Sequence, residues 1–175
     1  MLIALIAAVV AAAIGLLRGG SLESLAATPF RWLVLLWAGL LVQLGFDIWD
    51  PPWLDSTGGL MIVLLTNLLV AAFLAANSRL PGMILATIGM TLNVVVIALN
   101  GAMPVSLRAA RVAEVDIEQL GIKHEVLDPS TRLPWLADVI PVPGLAILIS
   151  VGDVVLAAGI AWLVYSRTTG RGTAP

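Results

Sequence analysis

The sequence predicts an all-α fold: a polytopic transmembrane helical bundle of about five spans, with an ordered extracytoplasmic connection of about 40 residues between the fourth and fifth. Three observations carry this. The 175-residue chain is 60% hydrophobic and only 11% charged, against roughly 25% charged in a soluble domain. Apolar runs of span length alternate with short polar links. One link, 101–142, is long and of mixed polarity. A globule this small cannot hide so much apolar surface from water, so lipid is its natural solvent.

The first span covers about 2–17 and ends at Arg18. A signal peptide carries positive charge before its apolar core, and here the only nearby arginine follows it, so the segment reads as a retained span. It is rich in Ala, which lets helices pack closely in lipid. A polar link follows, with Gly19-Gly20 as breaker, Ser21 or Ser24 as cap and Thr28-Pro29 as stop. The second span, 32–49, has Trp32 and Trp49 at its ends, where aromatic belts sit. An acidic link, Asp50 to Gly59, leads to the third span at 60–77. Asn77 to Gly82 is a tight turn before the fourth span at 83–100.

In the 101–142 connection, Ser106 can cap a short helix. Asp116 with Gln119 resembles a capping box closed by Gly121. Asp128-Pro129-Ser130-Thr131 reads as a turn. The piece from Leu133 to Ile140 looks interfacial, with Trp135 as its anchor. Pro141 and Pro143 then start the fifth span at 144–165. Residues 1–165 form a single transmembrane domain, and 166–175 a flexible tail.

Five spans put the termini on opposite sides. The short links at 18–31 and 78–81 carry three arginines and the acidic link none. The positive-inside rule therefore places the N-terminus and the long connection outside a bacterial cytoplasmic membrane and the tail inside.

Composition also excludes functions. Net charge is −2, which gives no basic footprint for nucleic acid. There is no cysteine and one histidine, so thiolate metal sites, disulfides and a bis-histidine haem are ruled out within the chain, and neither a metal nor a cofactor is predicted. No phosphate loop, serine elbow or paired-histidine helix is present, so no catalytic residue is assigned.

What remains is polar chemistry in unusual places. Asp153 lies inside the fifth span, where an ionisable group is costly and is a functional hypothesis by default. Gln43, Asn67 and Asn93 are amides in three other spans. Counted from the outer ends, they lie roughly 9 Å, 10–12 Å and 10 Å deep and Asp153 roughly 14 Å. Facing inward, they would form one intramembrane polar site, with Asn100 at its rim and Thr66, Thr91 and Ser150 able to join. The structural alternative is interhelical glue. A second candidate site lies in the connection: Arg108, Arg111, His124, Arg132, Trp135 and Asp138. Arg108 and Arg111 can touch lipid phosphates, and His124 has acids nearby that could orient it.

Four stretches resemble one family. They are Leu16-Leu17-Arg18-Gly19-Gly20, Asn100 through Ser106, Thr131 through Pro141, and Gly152-Asp153-Val154-Val155-Leu156. In order, they are similar to bacterial membrane proteins grouped as domain of unknown function 5317. The resemblance implies a multi-span fold, with the outer connection and Asp153 in one unit, and no chemistry.

Three functions compete. The first is a non-enzymatic accessory or assembly subunit of a larger membrane complex, with lipids and other membrane subunits as partners. The second is binding or transport of a lipid, isoprenoid or quinone around Asp153; it requires a cavity with the buried polar side chains on its wall. The third is a lipid-modifying enzyme using His124 with Asp128 or Asp138 and Arg132; it requires those groups to converge.

Overall fold

The computed structural model describes residues 2–49, 56–116 and 124–170. The helices are α1 (Leu2–Leu17), α2 (Leu22–Ala26), α3 (Leu33–Trp49), α4 (Ser56–Ala76), α5 (Met83–Asn100), α6 (Leu107–Ala113) and α7 (Val151–Thr168). Four short strands lie in the connection: β1 (Met103–Val105), β2 (His124–Val126), β3 (Ile140–Val142) and β4 (Ile147–Ile149). The fold is thus mostly helical, with two small sheets that the all-α expectation omits.

Three helical stretches are long and apolar enough to cross a membrane: Thr57–Ala76, Met83–Asn100 and Val151–Thr168. Two shorter apolar stretches, Leu2–Leu17 and Leu33–Phe46, accompany them. Large apolar side chains stand exposed along all five, among them Leu5, Val34, Trp37, Leu65, Ile88 and Trp162. An exposed apolar surface of this extent suits lipid rather than water.

The principal helix contacts run in a row, α1 on α7, α7 on α5, α5 on α4 and α4 on α3. The α5–α7 contact is a close one. Gly82, Ala86, Gly89 and Asn93 recur at four-three-four spacing on α5 and the turn before it. Gly152, Leu156, Gly159 and Leu163 recur identically on α7. The seams run antiparallel, with Gly82 against Gly159 and Leu163, and Gly89 against Gly152 and Leu156. A side chain on any of these glycines would strike opposing backbone. Small residues let two backbones touch in lipid, where dispersion and polar contacts replace the hydrophobic effect as the driving force. Above and below this seam, Met83, Ala86, Met90, Leu156 and Leu163 fill the main core with Phe73 and Leu74 of α4.

At one end of the bundle α1 is tied to the last turn of α7. Arg18 Nη1 donates to Tyr165 Oη at 2.7 Å, and Ser21 N donates to the Thr168 carbonyl at 2.8 Å. Ser21 caps α2.

Two asparagines fasten loops to helix ends in the same way. Asn77, just past α4, accepts from Arg31 N at 2.8 Å and donates to the Arg31 carbonyl at 2.9 Å. Asn100, the last residue of α5, accepts from Arg132 N at 2.7 Å and donates to the Arg132 carbonyl at 3.0 Å. Each carboxamide mimics a strand partner. The residue after each clamped arginine, Trp32 or Leu133, has φ near +57° or +53°, a conformation costly for bulky side chains. The next residue starts a helix or a 3-10 turn.

Four sequence expectations need correction. The fifth span begins at Val151, not 144, because 140–149 form the antiparallel hairpin β3–β4. The helix of the expected third span, α4, begins at Ser56 rather than 60. Residues 166–168 are the last turn of α7, with Ser166 and Thr168 buried, rather than tail. Asn100 belongs to the Arg132 clamp rather than to a polar site. The capping box expected at 116–121, the link at 50–55 and the tail at 171–175 lie wholly or mainly outside the described residues.

The α5–α7 seam predicts a contrast between glycines. Gly89→Ala should lower stability by about 1–3 kcal/mol through overpacking. Gly45→Ala, whose added carbon meets nothing within 4 Å, should be neutral or slightly stabilising. Thermal unfolding of both variants in lipid nanodiscs checks this; equal effects would contradict the seam.

Candidate functional site

α7 opens with a reciprocal cap. Asp153 N donates to Ser150 Oγ at 2.9 Å, and Ser150 N donates to Asp153 Oδ2 at 3.1 Å. This is the Ser-x-x-acid capping geometry, which satisfies two donors that a helix start leaves open. The cap reaches across to α5. Asn93 Nδ2 donates to Asp153 Oδ1 at 2.9 Å, and Ser150 Oγ lies 2.9 Å from Asn93 Oδ1. Gly152 permits this, since a Cβ there would fall on the Asn93 carboxamide. Asn93 stands seven residues before the end of α5, so α7 begins about 10 Å below that end. Asp153 is therefore in the first turn of its helix, not deep within it, yet it still meets Asn93.

Above this node lies a cavity of about 310 Å³. Val63 and Asn67 of α4 form one wall with Gln43 of α3; Met90, Asn93 and Ile97 of α5 and Asp153 and Leu156 of α7 form the rest. Its cover is the connection itself, through Met103, His124, Asp138 and Leu148. Irregular backbone is tolerated at membrane depth where it lines a cavity. The strands explain how the cover is held. β1 pairs in parallel with β2, setting Met103 beside His124. On its other side β1 bridges to Asp138: Asp138 N donates to the Pro104 carbonyl at 2.9 Å, and Ser106 N to the Asp138 carbonyl at 3.1 Å. One short central strand thus delivers the two polar side chains from either side.

His124 Nε2 lies 3.7 Å from Asp138 Oδ2. Asp138 is buried, and its Oδ1 has no hydrogen-bond partner among the described residues. Burial pushes its carboxyl up from 3.8 to about 7; the nearby Asp153 acts in the same direction, and the positive chain terminus opposes them. A second cavity of about 190 Å³ shares the same pair and Leu148, and is otherwise lined by Val105, Val115, Ala146 and Ile147. The His124–Asp138 pair forms part of the wall of both.

The two candidate sites expected from the sequence are therefore divided differently. Gln43, Asn67, Asn93 and Asp153 share one cavity, and His124 and Asp138 face the same space. Of the polar residues expected to join, Ser150 does so. Thr66 and Asn67 donate to carbonyls of their own helix. Thr91 does the same and is exposed, on a largely apolar groove between α4 and α5. Among the described residues, no hydrogen bond links Gln43 or Asn67 to the Asn93–Ser150–Asp153 node. Arg108 and Arg111 are exposed on α6, and Trp135 is exposed on its 3-10 turn. Arg132 and Asp128 line a separate outer depression. Asp128 there accepts from Ser130 and Thr131, which hold its carboxyl below the ordinary value. Of the groups expected for an enzyme, His124 with Asp128 or Asp138 and Arg132, the structure brings His124 to Asp138 and places Asp128 and Arg132 together in the separate depression. No three His, Cys, Asp or Glu side chains among the described residues group closely enough to hold a metal ion.

Asp138 gives a pH prediction. A carboxyl raised on folding binds its proton more tightly in the folded chain. Its contribution to stability is complete below about pH 4 and is lost as pH rises through about 7, about 4 kcal/mol in all. The melting temperature should fall between about pH 4 and pH 7, and Asp138→Asn should remove most of that slope. An unchanged slope in the variant would contradict the buried carboxyl.

The model of a family described as "Family of unknown function (DUF5317)" matches residues 27–165. That range holds α3, α4, α5, the whole cover and most of α7; the similar stretch at Leu16–Gly20 lies outside it. No curated protein and no solved structure matches the chain. Because the match takes in every element that builds the cavity, the chain belongs to the family of unknown function DUF5317.

Proposed function

We propose that this protein is a multi-pass membrane protein that binds a small amphiphilic molecule, of the lipid, isoprenoid or quinone class, in the cavity beneath its outer connection. On this reading α1, α3, α4, α5 and α7 all cross the membrane, α1 and α3 as its shorter spans. The N-terminus and the connection lie outside and the C-terminal end of α7 inside. Arg18, Arg31, Arg79 and Arg167 then share the inner side, as the positive-inside rule asks.

The observation that carries the reading is the cavity itself. Interhelical glue would leave polar side chains bonded to each other between closed helices. Asn93 and Asp153 are bonded to each other across α5 and α7, but they also share with Gln43, Asn67, His124 and Asp138 an open volume of about 310 Å³. Val63, Met90, Ile97 and Leu156 give the same volume an apolar side. Such a wall offers polar groups that can fix a head and an apolar side that can hold a tail.

Native mass spectrometry of the chain, extracted gently from its own membrane, tests the proposal. The expected result is a single chain carrying a reproducible small-molecule mass. Asn67→Leu, which fills the polar side of the wall with apolar volume and costs only a bond to a carbonyl of its own helix, should lose that mass while remaining folded. A second polypeptide at fixed ratio with no small molecule would overturn the proposal in favour of an accessory subunit, with the 101–142 surface as its contact.

A further inference from the structure

The cavity wall is specific about charge. It carries two carboxyls, one imidazole and three amides, and among the described residues no Lys or Arg lines it. The two carboxyls differ in kind. Both oxygens of Asp153 already accept, from Asn93 and from Ser150. Asp138 is 6% exposed, and its Oδ1 accepts from nothing among the described residues. Its Oδ2 stands 3.7 Å from the imidazole, beyond ordinary hydrogen-bond length. Buried polar atoms are almost always partnered, and one that is not asks for an explanation. An orphaned carboxyl oxygen on a residue that lines a cavity points to a ligand that donates.

Charge narrows the ligand further. An anionic head, such as a phosphate or a carboxylate, would face two acids with, among the described residues, no Lys or Arg and only the His124 imidazole beside Asp138 to offset them. A cationic head offers both the donor and the opposite charge, and low local dielectric strengthens that attraction. The apolar wall along α4, α5 and α7 suits an alkyl portion. The volume, about 310 Å³, is roughly that of ten water molecules, enough for an ammonium head and several carbons. Building on the binding proposal above, we infer that the cavity takes an amphiphile with a protonated amine head, seated against the Asp138 carboxyl.

Three probes of similar shape test this on the full chain in phosphatidylcholine nanodiscs: n-hexylamine, n-hexanol and n-hexanoate, each followed by thermal unfolding. Hexylamine should stabilise the protein and bind at least about tenfold more tightly than hexanol, and hexanoate should have no effect. Hexylamine binding should tighten about tenfold between pH 6 and pH 8, because Asp138 ionises while the amine stays protonated. The titratable groups facing Asp138 are His124 on β2 and Asp153 on α7, with the positive chain terminus as a further charge; His124→Gln separates the histidine's share of the slope. Asp138→Asn should abolish the preference for amine over alcohol, and if that variant does not fold, the pH profile of the natural chain decides. Hexanol binding as well as hexylamine, hexanoate binding more tightly, or amine binding that weakens as pH rises would each overturn the cationic head and leave the amphiphile reading standing. Absence of binding by all three would overturn both.

Discussion

Between Gly82 and Asn93 the backbone of α5 lies directly on the backbone of α7, and the rest of the structure depends on that contact. Only glycines permit it: a Cβ at position 82, 89, 152 or 159 would collide with the opposite chain. The close approach fixes the height at which α7 begins, level with Asn93. It brings a helix start, with its unsatisfied donors, against a carboxamide in the middle of the bundle. The Ser150–Asp153 cap satisfies those donors within α7, and Asn93 completes it from α5.

Because α7 starts low, the chain must descend into the bundle to reach it. The β3–β4 hairpin makes that descent, and its last residues form part of the cavity's cover. The cover is then pinned at both ends. Asn100 fastens Arg132 to the top of α5, and the Asp138 bridge fastens the segment after it to β1. With the cover held at those points, His124 and Asp138 are delivered to one place rather than left on a mobile loop. The Asn77–Arg31 clamp does the same work at the opposite end, setting the entry to α3. Each clamp precedes a residue held at positive φ, so the backbone there turns sharply and a helical turn starts at once.

Much of this was legible in the residues. Five apolar runs and their links follow from composition, and counting along the runs groups Gln43, Asn67 and Asn93, which line one cavity. The fifth helix was misplaced for a definite reason. Leu145 to Ile149 is an unbroken apolar run, and periodicity cannot separate a short buried strand from a helix. The signals that separate them were present: β-branched Ile147 and Ile149, and Ser150-Val151-Gly152-Asp153 as a capping box. Read as a cap, Asp153 becomes a first-turn residue rather than an isolated acid in mid-span. The His124–Asp138 meeting was not legible. It depends on β1 standing between two segments about 14 residues apart, a tertiary fact with no local mark. The Asn100 clamp is hidden for the same reason, since its partner is backbone.

The central claim is that the polar residues of α3, α4, α5 and α7 face an accessible cavity rather than lipid or a closed helix contact. The chain has no cysteine, so single cysteines can report this without interference. Asn67, on the cavity wall, and Leu65, exposed and not on that wall, lie two residues apart on one helix. With each replaced in turn by cysteine, a small cationic thiol reagent supplied from the outer side gives the direct comparison. Fast labelling at position 67 and slow labelling at 65 is the result the account predicts. Equal slow labelling at both, or faster labelling at 65, would contradict it.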